Sequence, residues 1–182
     1  MNIYTINSDY INYLKRFEPN ILNIDNYNHK RPFIYVELNI NDFLYYAPLS
    51  HIQKAKNKFT DFNIFYKNTK LGCIKINNMI PVSKNITLAK PISLNILNND
   101  TISDKKYKRM LKRQIKYINA NIDKINKKAK LIYKIGISKN RKDFINNFSL
   151  LEEKCKEYTK LIWQEIKTQQ QDIEEDKNIP KM

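Results

Sequence analysis

Up to about residue 100 the apolar residues of this chain come in short alternating or near-continuous runs, and beyond it they recur every three or four positions. Such a change of period predicts strands first and helices afterwards. Asn2–Ile6 alternates as a short strand, and Ser8-Asp9 supplies an N-cap signal for a helix reaching about Phe17. Glu18–Pro32, polar and rich in Asn between two prolines, predicts an exposed loop. Phe33–Ile40 and Phe43–Leu49, aromatic and β-branched on either side of Asn41-Asp42, predict a β-hairpin. His51–Thr60 is a basic connection. Asn63–Tyr66, Leu71–Ile76 and Met79–Val82 predict further strands, and Ile86–Ile96, interrupted by Pro91, one or two more. After the turn signal Asn98-Asn99-Asp100, one long helix is expected from about Asp104 to Ile132, a break near Gly136, and a last helix from about Phe148 to Lys167. Leu151, Cys155, Tyr158 and Ile162 form that helix's apolar face, and Trp163 beside them reads as packing. Strands followed by helices predict an α+β domain with an antiparallel sheet. Residues 1–168 suit a single domain, and 169–182, charged and ending near a proline, a flexible tail.

Charge adds a second message to the long helix. Its inward stripe is Tyr107, Leu111, Ile115, Ile118, Ile122, Ile125, Ala129 and Ile132, and its other positions are overwhelmingly basic. Eleven Lys and Arg between Lys105 and Lys130 are answered only by Asp104 and Asp123. The whole chain carries 33 Lys+Arg against 18 Asp+Glu, a formal charge of +15. A helix so one-sided repels itself unless an anion lies nearby, and nucleic acid presents a dense line of phosphates. Codon bias in a low-GC genome would raise lysine too, but evenly, whereas acids here are scarce over Lys105–Lys142 and cluster after Glu152. An anionic membrane is the weaker alternative: no apolar run approaches the roughly 20 residues a span requires. The start MNIYTINSDY has neither the basic nor the apolar region of a signal, which also speaks against a membrane, and two isolated cysteines make a reducing, cytoplasmic compartment the expectation. Cys73 and Cys155 stand far apart without a CxxC, and His29 and His51 have no metal-binding spacing to them. Reduced, buried thiols and no metal or other cofactor are expected.

Six segments, in order, resemble the ToxN/AbiQ family, the endoribonuclease toxins of type III toxin–antitoxin systems. They are Ile3-Tyr4-Thr5-Ile6 with Tyr10-Ile11 and Tyr13-Leu14; Arg31-Pro32-Phe33-Ile34; Tyr46-Ala47-Pro48-Leu49-Ser50; Asn78-Met79-Ile80-Pro81-Val82; Tyr107-Lys108-Arg109-Met110-Leu111 followed by Gln114; and Asn147-Phe148-Ser149-Leu150-Leu151-Glu152-Glu153-Lys154. The resemblance implies a strongly twisted antiparallel sheet flanked by helices and metal-independent RNA cleavage. It also implies inhibition by, and processing of, a structured repeat RNA antitoxin within a closed protein–RNA assembly, with a role in phage defence. One departure falls on the motif after the hairpin, where the family has a Thr/Ser-Ser-Pro-Lys type sequence. Here Ser50 takes the first hydroxyl position, His51 that of the serine central to cleavage, and Gln53 that of the lysine, with Lys54 and Lys56 following. Tyr27 matches a family tyrosine in the long loop, and Arg31, with Lys30 beside it, a basic residue before the second strand.

Metal-free cleavage by the ribose 2′-OH needs a base, an acid for the departing oxygen and cationic donors around the phosphorane, and leaves a 2′,3′-cyclic phosphate. His51 titrates in the right range for either proton transfer. Ser50 can donate to a phosphate oxygen, and Arg31 offers a planar fork where lysine offers a point charge. The resemblance and this chemistry together imply the catalytic set Ser50, His51, Arg31, Tyr27 and Lys54, with Tyr27 included on the resemblance alone. Tyr10, Lys30, Lys56, Tyr107, Lys108, Arg109, Lys112, Arg113 and Gln114 are expected to meet RNA, the tyrosines and cations because aromatic faces stack bases while cations follow the backbone, and Gln114 as the resemblance implies. Bland readings compete: Ser50 as a turn former, His51 and His29 as solvated loop residues, Tyr10 and Tyr27 as ordinary amphipathic side chains. Two other classes also stay open, an RNA-binding relative or unrelated module without cleavage and a module that docks an acidic protein. Since the two ends of an antiparallel hairpin meet, Arg31 and Ser50 are expected to approach each other.

Overall fold

A computed structural model describes residues 2–23, 25–26, 29–38, 40, 42–50, 59–94 and 101–177. Tyr27, His51, Lys54 and Lys56 lie outside the described residues. The chain begins with β1 (Ile3–Ile6) and α1 (Ser8–Lys15), followed by a two-residue ladder, β2 (Asp25–Asn26) with β3 (His29–Lys30). Six strands then follow: β4 (Phe33–Val36), β5 (Phe43–Ser50), β6 (Asp61–Tyr66), β7 (Thr69–Lys75), β8 (Ile80–Ser83) and β9 (Ala89–Pro91). The helices α2 (Ile102–Ala120), α3 (Ile122–Gly136) and α4 (Phe148–Lys177) complete the α+β fold. Among the described residues, seven strands form one antiparallel sheet in the order β6-β7-β5-β4-β1-β9, with β8 also on β5.

β5 is the spine of the sheet. One edge pairs with β4, from Phe33 opposite Pro48 to Val36 opposite Tyr45. Its other edge pairs first with β8, up to Tyr46 opposite Ile80, and then with β7, starting at Leu49 opposite Ile74. Pro48 sits at this change of partner. The Leu49 N–H points to β4, where it donates to the Pro32 carbonyl at 2.8 Å. Backbone alternation then turns the nitrogen of residue 48 toward the gap between β8 and β7, where a missing N–H costs no ladder bond.

The helices hold against this sheet through the stripe expected from sequence: Leu111, Ile118, Ile125, Ala129 and Ile132 are all buried. The predicted single helix is nevertheless two. Asn121 leaves the helical region (φ −125°, ψ 16°), and its side-chain amide donates to the Tyr117 carbonyl at 2.9 Å. An asparagine readily exchanges helical bonds for local ones, and the break lets α2 lie on β6 and β7 while α3 turns toward β4. The first turn of α2 carries a capping box between Thr101 and Asp104. α1 is capped by Asn7, one residue before the predicted signal. α3 ends at Gly136 against the Phe148 ring, where an added Cβ would lie 2.3 Å from a ring carbon.

Three further expectations need correction. The Glu18–Pro32 segment is not wholly exposed: Ile21 is buried, and the buried Glu18 carboxylate accepts from the Asn147 N–H at 2.9 Å. α4 ends at Lys177, beyond its expected end near Lys167. Trp163 is 46% exposed instead of packed. Glu152, the first of the acidic cluster, is engaged internally, its Oε1 accepting from the Tyr45 hydroxyl at 2.7 Å and the Tyr133 hydroxyl at 2.8 Å. Cys73 and Cys155 are buried and unpaired, and burial raises both thiol pKa values.

Candidate active site

The hairpin register places Arg31 at the end of β5. Its Nη1 donates to the Leu49 carbonyl at 3.1 Å and its Nε to the Asn23 carbonyl at 2.7 Å. Arg31 thus ties the long N-terminal loop to the strand that ends in Ser50, as antiparallel closure predicts. Burial lowers its pKa, but a guanidinium starts so high that it stays charged at neutral pH. A guanidinium has five N–H donors, so those not given to these two carbonyls remain for an anion.

α2 closes the other side. Ser50, Pro32 and Leu49 bound a small cavity with Tyr107, Met110, Leu111 and Gln114. Tyr107, Leu111 and Gln114 share one helix face at four- and three-residue spacing. Burial raises the Tyr107 phenol pKa, which keeps it a proton-bearing donor. Gln114 is only 3% exposed, and its Nε2 donates to the Leu71 carbonyl at 3.0 Å. The same contact fixes the amide orientation and leaves Oε1 as a buried acceptor with no partner.

Gly72 makes this closeness possible. It adjoins the bulge in β6–β7 pairing, where β7 carries Leu71 as an extra residue, and has φ +148°. A Cβ there would lie 2.7 Å from the Ser50 carbonyl oxygen and 3.0 Å from Gln114 Nε2. Gly72 was not among the expected site residues, although a glycine inside a strand pattern signals a bulge or a close approach. Pro32, Leu49, Met110 and Leu111 were also missed as lining residues; their apolar character gave them to the core.

The remaining expected residues distribute differently. Arg109 and Lys112 are exposed on α2, Lys108 is half-buried, and the Arg113 guanidinium lies 4.1 Å from the Tyr66 ring centroid. Lys30 is exposed and lines a polar cleft of about 370 Å³ with Thr5, Asn7, Ser8, Thr87 and Lys90. Tyr10 is corrected: it is fully buried, donates to the Pro81 carbonyl at 2.6 Å and packs on Tyr158. Its place on the inner face of α1, with Ile11 and Leu14, removes it from any RNA-facing surface. Among the described residues no group of three His, Cys, Asp or Glu could hold a metal ion, and no helix is long and apolar enough to cross a membrane.

Comparison with known proteins agrees with this architecture. Residues 2–156 match the profile of the family described as Toxin ToxN, type III toxin-antitoxin system. Endoribonuclease ToxN of Pectobacterium atrosepticum is 32% identical over 170 residues, covering 88% of this chain and 95% of the relative. Endoribonuclease AbiQ of Lactococcus lactis subsp. lactis is 28% identical, covering 88% and 90%. One solved structure, from work on a processed non-coding RNA that regulates a bacterial antiviral system, superposes with a TM-score of 0.74 at 32% identity, covering 86% of this chain and 98% of the other. Another, from work on selective inhibition of a type III toxin by a non-coding RNA pseudoknot, gives 0.74 at 27% identity, covering 87% and 97%. With the fold, the ordered motifs and the profile in agreement over most of its length, this chain belongs to the ToxN family of type III toxin–antitoxin toxins.

Proposed function

We propose that this protein is an endoribonuclease toxin that cleaves RNA where the end of β5 meets α2, and that a folded non-coding RNA holds it in check. The observation that carries the placement is the convergence of Arg31, Ser50, Tyr107 and Gln114 at one end of the sheet, beside the cationic face of α2. Arg31 offers its remaining N–H groups to the scissile phosphate and stabilises the charge that builds on the phosphorane. Ser50 and Tyr107 donate hydroxyl hydrogens around the same group. His51, next in the chain after Ser50, serves as acid or base, so that the 2′-OH attacks in line and a 2′,3′-cyclic phosphate results. Tyr27, Lys54, Lys30 and Lys56 complete the binding of the substrate strand. The relatives' links to non-coding RNA and antiviral action support an RNA antitoxin and a role in phage defence, exercised in the cytoplasm.

The test is incubation of purified protein with a long RNA in EDTA, followed by analysis of the ends. Fragments with 2′,3′-cyclic phosphate, lost in Arg31→Ala and His51→Ala, are expected; intact RNA would sink the proposal. Because histidine stands where the family has serine, a binding-only relative is the second reading. A His51→Ser protein far more active than the parent would establish it, and one less active would show that the histidine carries the proton.

A further inference from the structure

One surface near the proposed cleavage site is aromatic and cationic at once, and neither core packing nor the proposed chemistry uses it. At the open edge of the sheet, Phe65 and Tyr66 end β6 and remain 38% and 37% exposed. Both are reached from α2. The Phe65 and Tyr117 rings meet edge-on at 6.2 Å, and Arg113 lies over Tyr66. A core would cover these rings; here the ring of Tyr66 is backed by a guanidinium and still open to solvent. Arg109, Arg113 and Lys116 recur at four- and three-residue spacing, and Lys67 and Lys70 follow on the hairpin. Neither Tyr66–Leu71 nor Arg109–Tyr117 contains an acidic residue. The same elements carry the site: β7 leads from Thr69 at the hairpin to Gly72 beside Ser50, and Met110 and Gln114 of α2 lie within one turn of Arg113.

We infer that the tip of the β6–β7 hairpin and the adjoining face of α2 form a platform for single-stranded RNA, on which an unpaired base near the cleavage site stacks on Tyr66. Stacking on an aromatic face is sequence-tolerant, because every base has a π-face, and a guanidinium behind the ring adds cation–π attraction. The surrounding cations follow the phosphates. Bases in a duplex are already stacked on one another, so the platform prefers single strands. This inference rests on RNA being the ligand, as proposed above.

The experiment measures binding of a fluorescent, unstructured 2′-O-methyl RNA, which lacks the attacking hydroxyl, and of a duplex of the same sequence. Tyr66→Leu keeps the apolar bulk and removes the ring face. It is expected to weaken single-strand binding about tenfold while duplex affinity stays at the parent's value. Unchanged single-strand affinity, or an equal loss for both probes, overturns the platform. A parent that binds neither probe refutes the RNA reading itself, so the two failures are distinct. Should Tyr66→Leu fold poorly, photocrosslinking of unaltered protein to 5-iodouridine RNA decides: adducts at Phe65 or Tyr66 support the platform, and adducts confined to other segments refute it.

Discussion

Gly72→Ala is the sharpest perturbation of the site that removes no candidate catalytic group. The added carbon would lie 2.7 Å from the Ser50 carbonyl oxygen, a backbone atom that cannot swing away, and 3.0 Å from Gln114 Nε2. Overpacking of this kind costs about 1–3 kcal/mol. Holding a side chain at φ +148° adds strain of about 1–3 kcal/mol. A combined loss of about 3 kcal/mol lowers Tm by roughly 6–12 °C for a chain of this size, measurable by circular dichroism. Relief of the clash must move Ser50 or Gln114, and a displacement of about 1 Å at a reacting centre can cost about 100-fold in rate. Cleavage should therefore fall about 100-fold even at a temperature where the variant is fully folded. Gly136→Ala is the control, since its Cβ strikes the Phe148 ring, away from Ser50. It should destabilise as well and yet keep full activity while folded. A Gly72→Ala protein that melts with the parent, or cleaves normally when folded, would refute the reasoning.

Other consequences can be checked more briefly. Arg31→Lys keeps the charge but loses the fork to Asn23 and Leu49. At about 1 kcal/mol for each hydrogen bond, unfolding in urea should show a loss of about 2 kcal/mol, together with slower cleavage; an indistinguishable variant would remove Arg31 from its organising role. Tyr10→Phe strips a hydroxyl from the Pro81 carbonyl and should cost about 1–2 kcal/mol with RNA affinity unchanged, whereas weakened RNA binding at full stability would contradict its burial. Replacing the exposed Arg109 and Lys112 by alanine should flatten the slope of log K against log salt by about 0.7 for each phosphate contact on a single strand; an unchanged slope moves the RNA path off this face of α2. Burial raises the pKa of both thiols, so neither Cys73 nor Cys155 should react with iodoacetamide at pH 8 (about the pKa of a free thiol) until the protein is denatured; alkylation of the native protein would refute this.

Periodicity alone determined most of the elements, because burial on one face imposes a spacing that survives without neighbours. The hairpin of β4 and β5, the inward stripe from Leu111 to Ile132 and the α4 face through Leu151 and Cys155 were legible this way. So was the meeting of Arg31 with the end of β5, since antiparallel closure is a property of the hairpin itself. The basic bias of α2 was equally plain, because charge does not depend on the fold. Tertiary structure decided what depends on a partner distant in sequence. Tyr10 carried the letters of an RNA-facing residue, but the Pro81 carbonyl and Tyr158 gave it an interior place. Asn121 split the long helix once β4 and β6 offered separate surfaces for its two halves. The Tyr66–Arg113 contact also needed a strand and a helix more than forty residues apart (47 by number) to lie together. Gly72 stands between the two cases. Its letter announced that a backbone would come close, and only the pairing of β5 with β7 showed that the backbone was that of Ser50.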